Sequence, residues 1–166
     1  MRYVSVDIPS GISASLEKNV ISVKGPKGSV KKELKVHGVE VSLKDNKLEV
    51  DGKNVAVINT VKRQVLKMIE GCSKGFSSRM IIRYSHFPIK VSVKGNFFII
   101  DNFGGEKLQR KANIIGDTKV KISGQELAVD GPSLEDVSQT VANIRQHTKT
   151  KKKDSRVFQD GIYLIQ

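Results

Sequence analysis

The chain is short of nearly everything that reactive or covalently stapled chemistry requires. It has one cysteine, Cys72, in 166 residues, so it can form no internal disulfide and cannot build a structural zinc site on thiolates, which fits a reducing compartment. Its three histidines, His37, His86 and His147, fall in different segments. None stands in an HExxH, CxxC or nucleophile-elbow context, and no pair has metal-ligand spacing. No stretch approaches the roughly 18 consecutive apolar residues of a membrane-spanning helix, and the opening MRYVSVDIPSG lacks the apolar core of a signal peptide. GPKGS lacks the glycine-lysine-serine ending of a phosphate-binding P-loop. Together these absences predict an intracellular chain that is not an enzyme, with no catalytic residues, metal, cofactor, membrane partner or small-molecule substrate.

What the chain does have is positive charge. Twenty-nine Lys and Arg against seventeen acids give a net charge of +12 and a pI near 9.8, which favours a polyanionic partner, nucleic acid before an anionic membrane surface. Residues 1–75 and 76–166 are each +6. In the second half, however, RQHTKTKKKDSR at 145–156 has six basic residues and one acid. Lys149, Lys151, Lys152, Lys153 and Arg156 lie there in a segment with no apolar residue, so this run is expected to be extended and solvated until phosphates bind it. A second basic patch, Lys107, Arg110 and Lys111, follows NFGGE, where Gly104 and Gly105 would admit a phosphate backbone. Strand alternation would put Lys107 and Lys111 on one face, and Arg79 and Arg83 share another.

LEVDG at 48–52 returns as LAVDG at 127–131. From Ile12 to Val50 short alternating stretches read as an antiparallel meander. Asn54 can then cap a helix with apolar residues at Val55, Ile58, Val61, Val65, Ile69 and Cys72, its end bracketed by Gly71 and Gly75. Cys72 reads as a small buried filler. The pattern restarts at FSSRMIIRY and closes with a helix whose stripe is Leu134, Val137, Val141 and Ile144. Leu48, Gly52, Val55, Ile58 and Val65 match Leu127, Gly131, Leu134, Val137 and Ile144 at one constant offset. Gly28 lines up with Gly105 at an offset two shorter, as two extra residues near IIGD would produce. The prediction is an α+β fold of two homologous tandem domains, 1–75 and 76–166, each a small twisted antiparallel sheet packed against one helix. Phe97 and Phe98 offer possible base-stacking rings. Adjacent strand residues point to opposite faces and the βαββαβ order is lacking, so both are assigned to core packing.

VKGPKGSV, GFSSRMIIRYSHFPIKV, IDNFGGEKLQRK and above all RVFQDGIYL resemble, in order along essentially the whole chain, the archaeal and eukaryotic form of the universal large-subunit ribosomal protein six, called nine in eukaryotes. That resemblance implies two homologous domains and a structural, rRNA-binding role near the stalk base and the sarcin-ricin region, with neighbouring ribosomal proteins as partners and translational GTPases close by. It implies that the second domain makes most of the rRNA contact, through Asn102, Gly104, Gly105, Lys107, Arg110 and Lys111 and, around the closing motif, Lys153, Arg156 and Asp160. Phe158, Ile162 and Tyr163 are expected to dock the returning C-terminal segment. The expected location is cytoplasmic, on the ribosome, with nucleolar assembly in a eukaryote. Two other classes are weighed against this role. A free nucleic-acid-processing enzyme or translation factor would need a catalytic cluster that is missing, and a tandem adaptor for an acidic protein would not travel with the large subunit.

Overall fold

A computed structural model of the chain describes residues 2–17, 19–34, 38–44, 47–151, 153–154 and 156–165; His37 and Lys152 lie outside them. The chain divides into two compact units, one of Met1–Gly75 with Pro132–Leu134, the other of Phe76–Gly131 with Glu135–Gln166. The fold is α+β, with tandem units of small antiparallel sheets and one helix each.

In the first unit, β1 (Arg2–Asp7), β6 (Lys47–Gly52) and β5 (Val39–Lys44) form one antiparallel sheet with β6 in the centre. A second sheet has β3 (Val20–Gly25) between β2 (Ser13–Glu17) and β4 (Gly28–Glu33). The period of two decides which side chains enter the core: Ile21 and Val23 on β3 and Leu48 and Val50 on β6 are almost completely buried, and their neighbours are not. Each such side chain stabilises the unit by roughly 1.5–3 kcal/mol. The ion pair Lys47–Asp7, 3.3 Å across strand ends that are 60% and 79% exposed, contributes only about 0–1 kcal/mol. Packing therefore holds this sheet.

Helix α1 (Val55–Ser73) covers the apolar face with Ile58, Val61, Val65, Met68, Ile69 and Cys72. Asn54 caps it, its side-chain oxygen accepting from the Ala56 amide at 3.0 Å. Two expectations need correction. Val55 is 37% exposed, because it opens the helix outside the stripe. Gly71 lies buried inside the last turn, and only Gly75, at φ +80°, ends the helix in the left-handed conformation.

The second unit repeats this order. β7 (Phe76–Arg83), β12 (Glu126–Gly131) and β11 (Lys119–Ser123) correspond to β1, β6 and β5. β9 (Phe97–Asp101) lies between β8 (Lys90–Lys94) and β10 (Arg110–Asn113), as β3 does between β2 and β4. Phe98 and Ile100 replace Ile21 and Val23 as the fully buried pair. A backbone bond also recurs: Leu34 donates to the Asn19 carbonyl at 2.7 Å, and Ile114 to that of Asn96 at 2.8 Å. The stripe of α2 (Leu134–His147) buries Val137, Val141 and Ile144. One strand has no counterpart, β13 (Gly161–Ile165), which adds to the free edge of β7 and makes that sheet four-stranded.

The shared glycine of LEVDG and LAVDG serves packing. Gly52 and Gly131 both end their strands, and neither has positive φ. A Cβ on Gly131 would lie 2.9 Å from Val137 Cγ2, and one on Gly52 would lie 3.0 Å from the Gly38 carbonyl and Val39 Cγ2. A side chain would crowd the following helix at Gly131 and the neighbouring strand at Gly52, so glycine permits both close approaches.

The extra residues of the second copy are not near IIGD. Val23 pairs with Val30 on β4, whereas its counterpart Ile100 pairs with Arg110 on β10. The second hairpin is thus three residues longer, and the connection through IIGD is shorter than its equivalent. The insertion falls in the NFGGEK loop itself.

Candidate nucleic-acid interface

The residues proposed for phosphate contact belong to two chain segments far apart in sequence, the β9–β10 loop (102–109) and the exit that follows α2. The loop turns sharply because Asn102, Gly104 and Gly105 all adopt the left-handed conformation, at φ 58°, 57° and 80°. Asn102 is tied down by its side-chain amide, which donates to the Pro88 carbonyl at 3.1 Å. Gly105 lies against the Phe87 ring, which a Cβ there would approach to 3.2 Å, while Gly104 faces open space. Phe103, 2% exposed, anchors the loop in the core.

Arg110 joins the two segments. Its Nε donates to Glu106 Oε2 at 2.8 Å, and its Nη2 donates to Oε1 of the same carboxylate. Its Nη1 donates to the carbonyl of His147, the last residue of α2, at 2.7 Å, and to that of Lys149 at 3.4 Å. The guanidinium also stacks 4.2 Å above the Phe103 ring. The Arg110 bonds, helped by the nearby charges of Lys153 and Lys151, hold the Glu106 carboxyl below its ordinary pKa. Two further bonds tie β10 and the residues after it to one stripe of α2: Asn143 donates to the Asn113 carbonyl at 3.0 Å, and the Ile115 amide donates to Thr140 Oγ1 at 3.0 Å.

Loop and exit therefore meet at Arg110, and Lys107, Lys149, Lys151 and Lys153 in these two segments are all exposed. The exit begins in an ordered way, because buried Thr148 bonds back to the Ile144 carbonyl at 3.0 Å and Arg110 pins the carbonyls on either side. Lys107 lies in the loop and not on a strand, so alternation does not pair it with Lys111. Lys111 is exposed on β10, on the face away from buried Ala112.

The remaining predicted residues have these positions and contacts in the fold. Arg79 and Arg83 are exposed on β7, on the face opposite Met80 and Ile82, and among the described residues neither bonds to the loop or the exit. Arg156 pairs with Asp154, donating from Nη2 at 2.9 Å and Nε at 3.1 Å. Those bonds lower the Asp154 pKa and raise that of Arg156. Lys153 sits 4.7 Å over the half-exposed Phe158 ring. Asp160 accepts from the Ser85 amide at 2.9 Å, Ile162 is buried opposite Ile82, and exposed Tyr163 donates its hydroxyl to the Gln159 carbonyl at 2.7 Å. Arg83, Tyr84, Ser85, Gln159, Asp160 and Tyr163 line an open cleft of about 540 Å³. Phe97 is 47% exposed, contrary to its assignment to the core, because it opens β9 at the hairpin end of a face that is covered only further along, at Ile99; Phe98, on the other face, is fully buried.

Sequence reading did not find Glu106 as the partner of Arg110, Phe103 as the loop anchor, or strand β1. Glu106 stands four residues before Arg110, and Val4, Val6 and Ile8 alternate in the opening segment; both signals were available.

Among the described residues, no group of three or more His, Cys, Asp or Glu side chains can hold a metal, and no helix is long and apolar enough to cross a membrane. Tandem α+β units with a strongly basic composition and a cationic loop-and-exit surface define a class of basic, structural tandem-domain proteins. The profile of the family described as ribosomal protein L6 matches residues 87–161, a stretch that contains both the loop and the exit. The large ribosomal subunit protein uL6 of Methanosarcina mazei is 43% identical, covering 98% of this chain and 95% of its own. Those of Methanococcus vannielii and Halobacterium salinarum are 41% and 39% identical, covering 97% and 100% of this chain and 91% and 96% of theirs. The chain belongs to the uL6 family of large-subunit ribosomal proteins, which are structural and not enzymes.

Proposed function

We propose that the protein is a structural constituent of the large ribosomal subunit that binds rRNA mainly through its second unit, using the β9–β10 loop and the basic exit after α2. The observation that supports this reading is the convergence of the two segments at Arg110, with Lys107, Lys149, Lys151 and Lys153 exposed along them. Lysines on a preformed surface bind phosphate by releasing condensed counterions, with little base reading. Replacing Lys151, Lys152 and Lys153 together by alanine should weaken rRNA binding and reduce the slope of log affinity against log salt by roughly two to three units if each neutralises one phosphate. An unaltered slope would mean that these lysines are only solvated.

The family resemblance supports a position near the stalk base and the sarcin-ricin region, with neighbouring ribosomal proteins and translational GTPases close by, in the cytoplasm. Hydroxyl-radical footprinting on the assembled subunit tests the position. Protection is expected at those rRNA segments, and protection confined to others would overturn it. Comigration with the large subunit at moderate salt tests the ribosomal role, and a chain that remained in the soluble fraction would favour an adaptor for an acidic protein.

A further inference from the structure

We propose that Arg110 is a positioning residue and not a phosphate ligand: it clasps the β9–β10 loop to the end of α2 so that the loop and exit lysines form one preformed cationic surface. The inference deepens the rRNA-binding reading and rests on it for the identity of the ligand.

Three observations argue for the clasp. First, the charge of Arg110 is matched locally by the two carboxylate oxygens of Glu106. A phosphate would have to compete with that fork, whereas the surrounding lysines are exposed. Second, Arg110 lies against buried Phe103 with a side chain only 20% exposed, and its Nη1 is directed at backbone carbonyls. The end of a helix leaves carbonyls without intrahelical partners and carries partial negative charge, so a guanidinium there is held by geometry and by electrostatics.

Third, the first unit closes the same corner through a direct backbone bond. There α1 continues to Ser73, and the carbonyl of Cys72 accepts directly from the Lys27 amide in the β3–β4 turn at 3.0 Å. In the second unit the helix stops at His147 and the hairpin is longer, so hairpin backbone and helix end are bridged by Arg110 instead. The glutamate makes functional sense only as a partner of this arginine. An uncompensated carboxylate would weaken a phosphate-binding surface, yet Glu106 lies close enough to Lys151 and Lys153 to feel their charge. Fixing loop and exit before binding removes part of the ordering cost of association.

The test uses the full-length protein, its Arg110→Ala, Arg110→Lys and Glu106→Gln variants, and in-vitro-transcribed large-subunit rRNA. Hydrogen exchange of the free proteins is measured in parallel. The clasp predicts that Arg110→Lys loses affinity as Arg110→Ala does, by about tenfold, because an ammonium cannot reproduce the fork and the carbonyl bonds. It also predicts that Glu106→Gln binds more weakly, although a negative charge has been removed from an RNA-facing surface. A phosphate ligand predicts the opposite signs: near-complete rescue by lysine and tighter binding by Glu106→Gln.

Exchange decides the clasp independently of RNA. Amides at 147–151 should exchange faster in both Arg110 variants, and unchanged exchange overturns the proposal. If the wild-type protein fails to bind rRNA while exchange still accelerates in the variants, the rRNA reading fails and the clasp stands.

Discussion

The two units share a frame and differ at one corner. In the first, β3 and β4 are joined by a two-residue turn, 26–27, and the last turn of α1 packs directly on that hairpin: a Cβ on Gly25 would lie 2.6 Å from the Cys72 carbonyl oxygen. In the second, an eight-residue loop replaces the turn, α2 ends at His147, and positions equivalent to the end of α1 hold the lysine-rich exit. Wherever sheet and helix bury each other the copies have stayed alike, down to the paired strands and the close-approach glycine. The corner closed by a direct backbone bond in one copy is built from exposed lysines around an arginine clasp in the other. A fold can thus keep its core constraints while a longer hairpin and a shorter helix turn one corner into an exposed cationic surface.

The comparison breaks most easily at the two cores. Phe98→Ala, at a fully buried ring, should cost about 3–5 kcal/mol, and Ile21→Ala at the matching position of the first unit about 2–5 kcal/mol. Losses of similar size should have different consequences. Phe98→Ala should lower rRNA affinity together with stability, because β9 and β10 hold the loop, whereas Ile21→Ala should leave affinity near wild type while the first unit remains folded. Calorimetry beside a binding titration reads both. Equal loss of affinity in the two variants would mean that the first unit shares the interface.

Next in size come the glycines at which the copies agree. Gly131→Ala and Gly52→Ala should each cost about 1–3 kcal/mol, since the added methyl meets Val137 in one unit and Gly38 and Val39 in the other. Denaturant midpoints measure this. If either substitution stabilised its unit, as replacing a merely flexible glycine does, the close-packing role would be wrong there.

How far these features were legible in the sequence follows from the range of the forces involved. The helices, the strand alternation and the LxVDG recurrence are set by local period, and all could be read directly. Strand β1 shows the same alternation at Val4, Val6 and Ile8 and was equally legible. The site was legible as two basic segments and illegible as one surface, because their meeting depends on Arg110 bonding to carbonyls of residues 147 and 149, and backbone acceptors leave no mark in composition. The length of the second hairpin was misplaced for a related reason. Aligning glycines matched Gly28 to Gly105, but the strand register, set by the pairing of Ile100 with Arg110, places the insertion inside the loop.

The smallest predicted effect concerns Cys72, where the first unit has a buried thiol and the second has the exposed Lys151 at the equivalent position. Burial pushes the Cys72 thiol above its ordinary pKa, and its Sγ donates to the Val23 carbonyl at 3.4 Å. A folded-state pKa above the unfolded value means that the folded chain holds its proton more tightly. The stabilisation is complete below the unfolded thiol pKa of about 8.5 and is lost as pH rises through the folded value. Denaturant midpoints should therefore drop further between pH 8 and pH 10 in the wild type than in Cys72→Ala, with the two curves parallel below pH 8. A thiol reagent should label the folded protein only as fast as the first unit opens. If labelling were immediate at pH 8 and the two pH curves remained parallel to pH 10, the corner around Cys72 would be open to solvent, and the contrast between a sealed corner and a binding corner would fail.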